Sequence, residues 1–557
     1  MKAGPAIILL AAAVAVAPQL VRGNSCGHDF DVHLVSWLDC ANAWRHGILY
    51  PHWTPSANYG AGEPRFVFYP PLTWMMGAAL GLVLPWSFVP MVLTFLCLAG
   101  TGLATRALAR EAMEDAAATL AGCATIFSGF ALFTAYERSA FPEFMGGVWL
   151  PLLLLFALRE RNPAGSLRRR AFDGSTVPLA LVLALAWLSN APLGVMASYL
   201  LAGVAAGWAL LRKTWAPVAR AGLAAILGLG ITAFYWLPAA LERRWVDIRQ
   251  AYDDPGYNFE NNWLFARHRD PALALHDQVL HTASMIALSM IAVAVAGVAV
   301  SWYRGALPIQ KSAGAWLWWV PLAAIPLVVL FLLFPVSRPV WYLLPQWRYL
   351  QYPWRWLEAV EAPMAIFFTA AVWPGTRRMR ALAAAGCGAA FLCATACAGM
   401  FFFQVCYPED TVASTLAAYH AGAGFEGMYE YEPPGSDLSQ ISMGLPDACL
   451  MSDPMTALGK EDADGDLVWS AAQSSCEATF QAARPAGGAS PEHLRIAATA
   501  PRAGYLVLRL LSYPAWRVTL NGKLVKNLPA RADGLMDVLV PAGPVDLRVD
   551  WMTTLDV

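Results

Sequence analysis

Charge is what this chain has least of. Only 14% of its 557 residues are Asp, Glu, Lys or Arg, against about a quarter in a soluble domain, and the signs cancel to a net −1. Such neutrality excludes the basic face of a nucleic-acid binder and any general attraction to anionic surfaces. Cysteine pairs at CxxC or zinc-site spacing are lacking. So are a GxSxG elbow, a Walker loop, an HExxH helix, a Rossmann glycine run and the kinase signatures, which leaves an ATP-driven pump or a serine hydrolase without support. No repeat of solenoid or transporter type is visible.

What the chain has instead is apolar: 58% hydrophobic residues, 24 Trp and a mean hydropathy of +0.46. This composition predicts a polytopic α-helical membrane protein. Among the ten Cys, Cys97, Cys123, Cys387, Cys393 and Cys397 lie in apolar runs, where Cys is a small core residue. Cys26, Cys40, Cys449 and Cys476 fall in stretches expected outside the membrane, where oxidation is open to them; a Cys449–Cys476 bond is left undecided. Met1–Gly23 reads either as a cleaved signal peptide or as a short first span.

Apolar runs oriented by the Lys/Arg bias give about eleven spans, with the N-terminus inside and the C-terminus outside. Leu72–Leu84 is assigned to the interface and Ser87–Thr105 to a span, because two spans there would carry the arginine-rich Arg159–Arg170 outside. The other spans fall near 117–135, 145–158, 177–189, 193–211, 221–239, 279–302, 315–336, 356–374 and 381–404. The inside loops are then short and basic: Arg106/Arg110, Arg159–Arg170, Arg212/Lys213/Arg220, Arg304/Lys311 and Arg377/Arg378/Arg380. After Cys406 the composition turns soluble. Arg502–Trp551 alternates as strands do, with Asn521-Gly522 and Asp533-Gly534 as turn signals. The expected organisation is a transmembrane domain over 1–405 whose first outer loop is 22–86, an extracytoplasmic mixed region over 406–500, and a small β-domain over 501–557.

The stretch that the rest is organised around is Gly27–Pro71. It crowds Asp29, Asp31 and His33 at its start, carries apolar residues at helical spacing over Val32–Trp44, and then breaks on Pro51, Pro55, Gly60, Gly62, Pro64, Pro70 and Pro71. Ionisable groups at the mouth of a membrane domain are costly unless they line a watery or substrate-filled cavity, which makes this loop the expected active site. Asp29 and Asp31 read equally as acids at the N-terminus of the Val32–Trp44 helix. Arg138 and Glu143, in the second outer loop, read equally as an ion pair anchoring helix ends. Arg243, Arg348 and Arg355 stand in outer loops against the positive-inside trend. They suit a phosphate, because a guanidinium donates parallel hydrogen bonds and stays charged, and they also suit interfacial anchoring among Trp and Tyr.

The acid after the first span, the His four residues on, Gly47-x-x-x-Pro51-x-Trp53 and Tyr69-Pro70-Pro71-Leu72 together resemble one bacterial membrane-protein family. Further matches lie at Tyr136–Glu143, Phe234–Glu242 and Gln351–Trp356. The family carries the label "6-pyruvoyl-tetrahydropterin synthase-related", although nothing here reproduces the His-rich metal site of the soluble synthase. It is similar to the GT-C superfamily of polyprenyl-phosphate-sugar glycosyltransferases. That resemblance favours a retained first helix and implies transfer of a sugar from a polyprenyl-phosphate donor to an acceptor outside the bacterial cytoplasmic membrane. It implies Asp29 as the base, with Asp31, His33 and Glu143 as further catalytic candidates. Arg138, Arg243, Arg348, Arg355, Tyr69 and Trp53 become candidates for binding the donor. A divalent metal stays open, since some members use one and others do not. The other reading kept is a non-catalytic transporter or assembly factor for envelope polysaccharide. Clustering of ionisable residues at one membrane face, rather than at the midplane, favours the enzyme.

Overall fold

The computed structural model describes residues 3–159, 174–306, 318–456, 458, 460–461, 467–469, 476–483 and 490–552. Lys311 and the arginine-rich cluster beyond Arg159 lie outside the described residues. The chain divides into two compact units. The first comprises Met1–Asp31, Trp86–Ala233 and Tyr252–Tyr407, and the second Val32–Pro85, Phe234–Ala251 and Pro408–Val557.

The first unit is helical. Long runs rich in Ala, Leu and Val form Val89–Ala109, Asp115–Ile126, Gly146–Leu158, Ala191–Arg212, Ala274–Tyr303 and Arg377–Phe401. Among the described residues six helices are long and apolar enough to cross a membrane, or up to eight if each of two bent pairs is one span. One of those pairs, Trp319–Leu332 with Pro335–Leu343, bends by 94° where Pro335 interrupts the ladder. Three expected spans coincide with helices of 13, 14 and 16 residues, Ala3–Ala15, Thr176–Ser189 and Leu357–Val372. At the rise of a straight helix these cover about 20–24 Å of a hydrocarbon core of about 30 Å. The protein is a polytopic helical membrane protein, and its Arg377–Phe401 helix shows why: Met379, Leu382, Leu392 and Met400 are all exposed, as a face against lipid requires.

Small residues set the closest helix approach. A Cβ on Gly122 would lie 2.4 Å from the Gly102 carbonyl and 2.9 Å from the Ile8 side chain, so Val89–Ala109 and Asp115–Ile126 meet at their backbones and Ala3–Ala15 packs its Ile8 against them. Ile8, Ala12 and Ala15 are buried there.

The second unit holds Phe30–Arg45 from Val32 on, the helix Pro71–Val83 of 13 residues, and the helix Val412–Ala421. At about 20 Å, Pro71–Val83 is short of crossing length. Ten strands follow among the described residues: β1 Ala448–Met451, β2 Lys460–Glu461, β3 Leu467–Val468, β4 Ala478–Phe480, β5 His493–Ala500, β6 Gly504–Leu511, β7 Trp516–Leu520, β8 Lys523–Leu524, β9 Leu535–Val540 and β10 Gly543–Trp551. They make antiparallel sheets in the orders β4-β1-β6-β9 and β5-β10-β7-β8, with a β2-β3 ribbon apart. Asn521 and Gly522 both take positive φ (50° and 78°) in the two-residue turn that pairs Leu520 with Lys523, as a type I′ hairpin needs. The sheet core is aliphatic: Leu506, Leu508, Val518, Val538, Leu547 and Val549 are buried. Cys449 and Cys476 form a disulfide that spans β1 and the entry to β4.

Candidate functional site

In the first unit the chain after the first helices runs without helix through Ser25–Gly27 and turns at His28–Asp29, beside an unusual second turn. Thr134–Arg138 is π-helical, one residue wider per turn than an α-helix and a feature that recurs at functional sites. Ser139 then takes a left-handed conformation (φ 50°). The widened turn leaves its carbonyls outside the helix ladder, and the neighbouring chain uses them. Ser25 Oγ donates to Tyr136 O at 2.7 Å, His28 N to Glu137 O at 3.4 Å and Asp29 N to Arg138 O at 2.9 Å. A Cβ at position 27 would stand 2.5 Å from the Glu137 carbonyl oxygen, so only glycine allows this approach. On the other side Cys26 N donates to Gln404 O at 3.0 Å, and Cys26 is disulfide-bonded to Cys406.

The result places four of the expected residues together. Arg138 Nη2 is 3.5 Å from Asp29 Oδ2 and Arg138 Nη1 donates to Glu143 Oε2. Arg355 Nε donates to the same Glu143 oxygen at 2.9 Å. Arg355 Nη1 also reaches the Leu350 carbonyl at 2.7 Å and Gln351 Oε1 at 2.9 Å. The side chains of Arg138 and Glu143 are 6% and 4% exposed, while that of Asp29 is 41% exposed. Arg138 lies 5.0 Å from the Trp354 ring centroid and Arg355 lies 4.8 Å from that of Tyr352, where aromatic faces attract cations. Gln351 holds a positive φ of 61°, a strained state that the carboxamide–Arg355 contact sustains. Two guanidiniums thus share one buried carboxylate, and a second carboxylate stands at the rim in contact with solvent.

Behind this group the helix Leu357–Val372 brings two more acids. Glu361 accepts from Ser128 Oγ. Glu143 Oε1 and Glu358 Oε2 are buried and have no hydrogen-bond partner among the described residues. Neither acid of this helix figures among the sequence candidates, yet LEAVEAPMAIFF shows both at a glance: an acid within an apolar run is a functional signal by default.

Of the remaining candidates, two belong to the first unit and four to the second. Arg348, in the first unit, is exposed and sits over Tyr252 at 4.8 Å. Asp31 is exposed in the first turn of Phe30–Arg45. His33, Trp53, Tyr69 and Arg243 belong to the second unit. There His33 is buried, with its ring 6.2 Å from that of Tyr69. Trp53 is 1% exposed and packs edge-on against Trp516 at 5.0 Å and near Trp551 at 5.8 Å. Arg243 is exposed next to Glu242, which accepts from Tyr513 at 2.6 Å.

The second unit has a polar network of its own that sequence reading did not single out. Arg65 Nε donates to Glu63 Oε1 at 2.6 Å and Arg65 Nη1 to Ser36 Oγ at 2.9 Å. Glu63 Oε2 accepts from Asn58 Nδ2 at 3.2 Å and from Met428 N at 2.9 Å. Asp39 accepts from Ser56 Oγ at 2.6 Å and Tyr419 OH at 2.9 Å. Burial pushes the Asp39 carboxyl up to about 6, against those hydrogen bonds and the charge of Arg65. The Glu63-Pro64-Arg65 alternation of acid and base was the legible sign of this network.

As for a metal, no group of three or more His, Cys, Asp or Glu is close enough to hold one among the described residues. Asp29 and Glu143 already have guanidiniums as counter-charges, so they do not form a ready ligand set.

No protein-family model matches the chain, and no curated protein does. It is similar to solved structures. One is the oligosaccharyltransferase of Archaeoglobus fulgidus in complex with Zn and sulfate (14% identity, 77% of this chain and 58% of that chain, TM-score 0.42). Another is AglB of the same organism with an inhibitory peptide and a dolichol-phosphate (14% identity, 78% and 61%, TM-score 0.43). A third is the mycobacterial arabinofuranosyltransferase AftD (15% identity, 98% and 40%, TM-score 0.44). The chain spans only 58% and 61% of the length of these archaeal structures and 40% of the mycobacterial one. Likeness at these scores assigns neither activity nor ligand.

Proposed function

We propose that the chain is an integral-membrane glycosyltransferase of GT-C type that moves a sugar from a polyprenyl-phosphate donor to an acceptor outside the cytoplasmic membrane. The observation that carries this is the juxtaposition of a solvent-facing carboxylate, Asp29, with a buried Arg138–Glu143–Arg355 set. The chemistry is a direct displacement. Asp29 takes the proton of the acceptor hydroxyl, the acceptor oxygen bonds to the anomeric carbon, and the bond from that carbon to the phosphate oxygen breaks. Arg138 and Arg355 supply the positive charge that holds the departing phosphate. Arg138 is the one in touch with the exposed acid. Protonation of Asp29 removes its counter-charge just as the phosphate gains one, so the guanidinium exchanges one anion for another. Asp31 is the alternative base, and Glu143 keeps the two arginines in place.

Localisation belongs to the same proposal. Both disulfides, Cys26–Cys406 and Cys449–Cys476, call for an oxidising compartment, and the first sits in the very segment that carries Asp29. The extracytoplasmic side of a bacterial cytoplasmic membrane meets that need.

The test is release of undecaprenyl phosphate from undecaprenyl-phosphoryl pentoses and hexoses, with water as the stand-in acceptor hydroxyl that takes the sugar, in nanodiscs that contain the full chain. Asp29→Asn is expected to slow release by roughly 10²–10⁴-fold, the usual worth of a general base. Affinity for undecaprenyl phosphate should barely change. Full activity in Asp29→Asn with loss in Asp31→Asn moves the base two residues on. Full activity in both variants removes both acids as the base and with them the reading's main support; absence of release by the wild type leaves the transporter or assembly factor.

A further inference from the structure

The segment that carries Asp29 is the middle layer of three. On one side it is bonded to the π-turn, through Ser25, His28 and Asp29 as described, and through Gly27 N to Ser139 Oγ at 3.2 Å and Ser139 Oγ to Ser25 O at 2.9 Å. On the other side lies the strap 404–406. Gln404 N donates to Ser25 Oγ at 2.9 Å, Cys26 N to Gln404 O at 3.0 Å, and Ser25 bridges to Val405 as a single antiparallel pair. Gln404 Nε2 then donates to Glu137 Oε2 at 2.7 Å, so the strap also touches the π-turn. The Cys26–Cys406 bond closes the stack.

We propose that this strap, through Gln404 and the Cys26–Cys406 disulfide, is a positioning element for the Asp29 carboxylate. The inference rests on the reading of Asp29 as the base and adds what holds it there. Only two residues separate Cys26 from Asp29, and the His28 and Asp29 amides hydrogen-bond to the Glu137 and Arg138 carbonyls of the π-turn. Without the strap this thin layer is held from one side alone. A carboxylate displaced by about 1 Å loses on the order of 10² in rate. Arg138 and Arg355 do not depend on the strap, because Glu143 fixes them from within. Turnover should therefore fall while phosphate affinity stays, a split that general unfolding would not produce.

The experiment compares the oxidised chain, the chain treated with a dithiol, and the Cys26→Ser/Cys406→Ser double variant, all as full chains in nanodiscs. The dithiol delivers two electrons and two protons to the S–S bond and ends as a disulfide itself. Three quantities are read: amide hydrogen exchange over 26–29, release of undecaprenyl phosphate from the undecaprenyl-phosphoryl sugar that the wild type cleaves, and affinity for undecaprenyl phosphate alone. Faster exchange is expected at 26–29, with release down by about 10²-fold, affinity within twofold of wild type by that same reasoning, and recovery on reoxidation. A dithiol should change nothing further in the double variant, which separates this bond from Cys449–Cys476. Gln404→Ala keeps the disulfide and should give a smaller change of the same kind. Unchanged exchange overturns the inference, and so does faster exchange with turnover intact. Asp29→Asn in the oxidised chain reports separately: if it is fully active, the base reading fails whatever the exchange shows.

Discussion

Glu143 is the residue on which the site balances. One of its oxygens receives Arg138 and Arg355 together, in a place from which water is excluded. Taking one partner from a buried ion pair leaves an uncompensated charge and costs about 3–5 kcal/mol. Arg355→Ala leaves Glu143 with Arg138 but strands the Leu350 carbonyl and Gln351, so it should destabilise the first unit by less, about 1–3 kcal/mol, and lower its melting temperature in detergent. Arg138→Ala also faces the half-exposed Asp29, and its distinguishing effect is on ligand. Loss of a charge-assisted contact costs about 1.5–3 kcal/mol, a fall of about 10–150-fold in undecaprenyl phosphate affinity, measurable by titration in nanodiscs. Equal affinity in wild type and Arg138→Ala would reduce that arginine to a structural cation. Asp39 offers a different readout. Its carboxyl lies at about 6 in the native chain and near 3.9 in an unfolded one, so the native state binds the proton more tightly. Its contribution to stability is full below about pH 4 and is lost as pH rises through 6, worth about 3 kcal/mol over the roughly two-unit shift. Asp39→Asn should flatten the difference in melting temperature between pH 4 and pH 7; a parallel shift at both would dismiss the carboxyl as its source. Asp29, Arg138, Glu143 and Arg355 were legible because each stands at a loop position where charge is unexpected. Asp39 was not, because it sits at a core position of an amphipathic helix, and nothing local tells a buried acid from a solvated one.

At the scale of elements, the π-turn and the glycine contacts do the shaping. Helices Val89–Ala109 and Asp115–Ile126 approach until the Gly102 carbonyl would touch any side chain at position 122. Gly122→Ala must push them apart or shift Ile8, and overpacking of this sort costs about 1–3 kcal/mol. The check is thermal unfolding of the variant beside Gly207→Ala, whose added Cβ meets nothing within 4 Å; equal stability of the two would show that the contact has room. The strands were readable where they alternate: YLVLRLLSY, WRVTLNG, LMDVLVPAG and VDLRVDW become β6, β7, β9 and β10. By contrast β1 was silent, because all four of its residues are buried and a strand covered on both faces has no period to read. The widened turn before Ser139 was silent too, since no residue preference marks a π-helix.

For the whole molecule, sidedness is the testable consequence. Asp253, in the 252–270 loop, and Arg378, at the start of Arg377–Phe401, are both exposed. In intact cells a membrane-impermeant maleimide should label Asp253→Cys, and it should label Arg378→Cys only after permeabilisation. The opposite pattern would invert the protein and put both disulfides in a reducing compartment. The helical architecture was legible from hydropathy, but the division into spans was not. The expected span near 315–336 runs past Leu332, where the helix breaks and bends by 94° into Pro335–Leu343, and composition alone does not say where the ladder ends.

The Cys26–Cys406 bond joins residues 380 positions apart. Ribosomes deliver the chain in order, at about 5–20 residues per second. Asp29 therefore leaves the ribosome early and waits, half a minute or so on that rate, for the strand that pins it. Until Arg377–Phe401 has inserted and Cys406 has reached the oxidising side, the nascent protein has its acid and its arginines but not the brace between them. On the proposed reading of Asp29 and its strap, full turnover is then a late event in the life of each molecule, reached only once Cys406 has followed Arg377–Phe401.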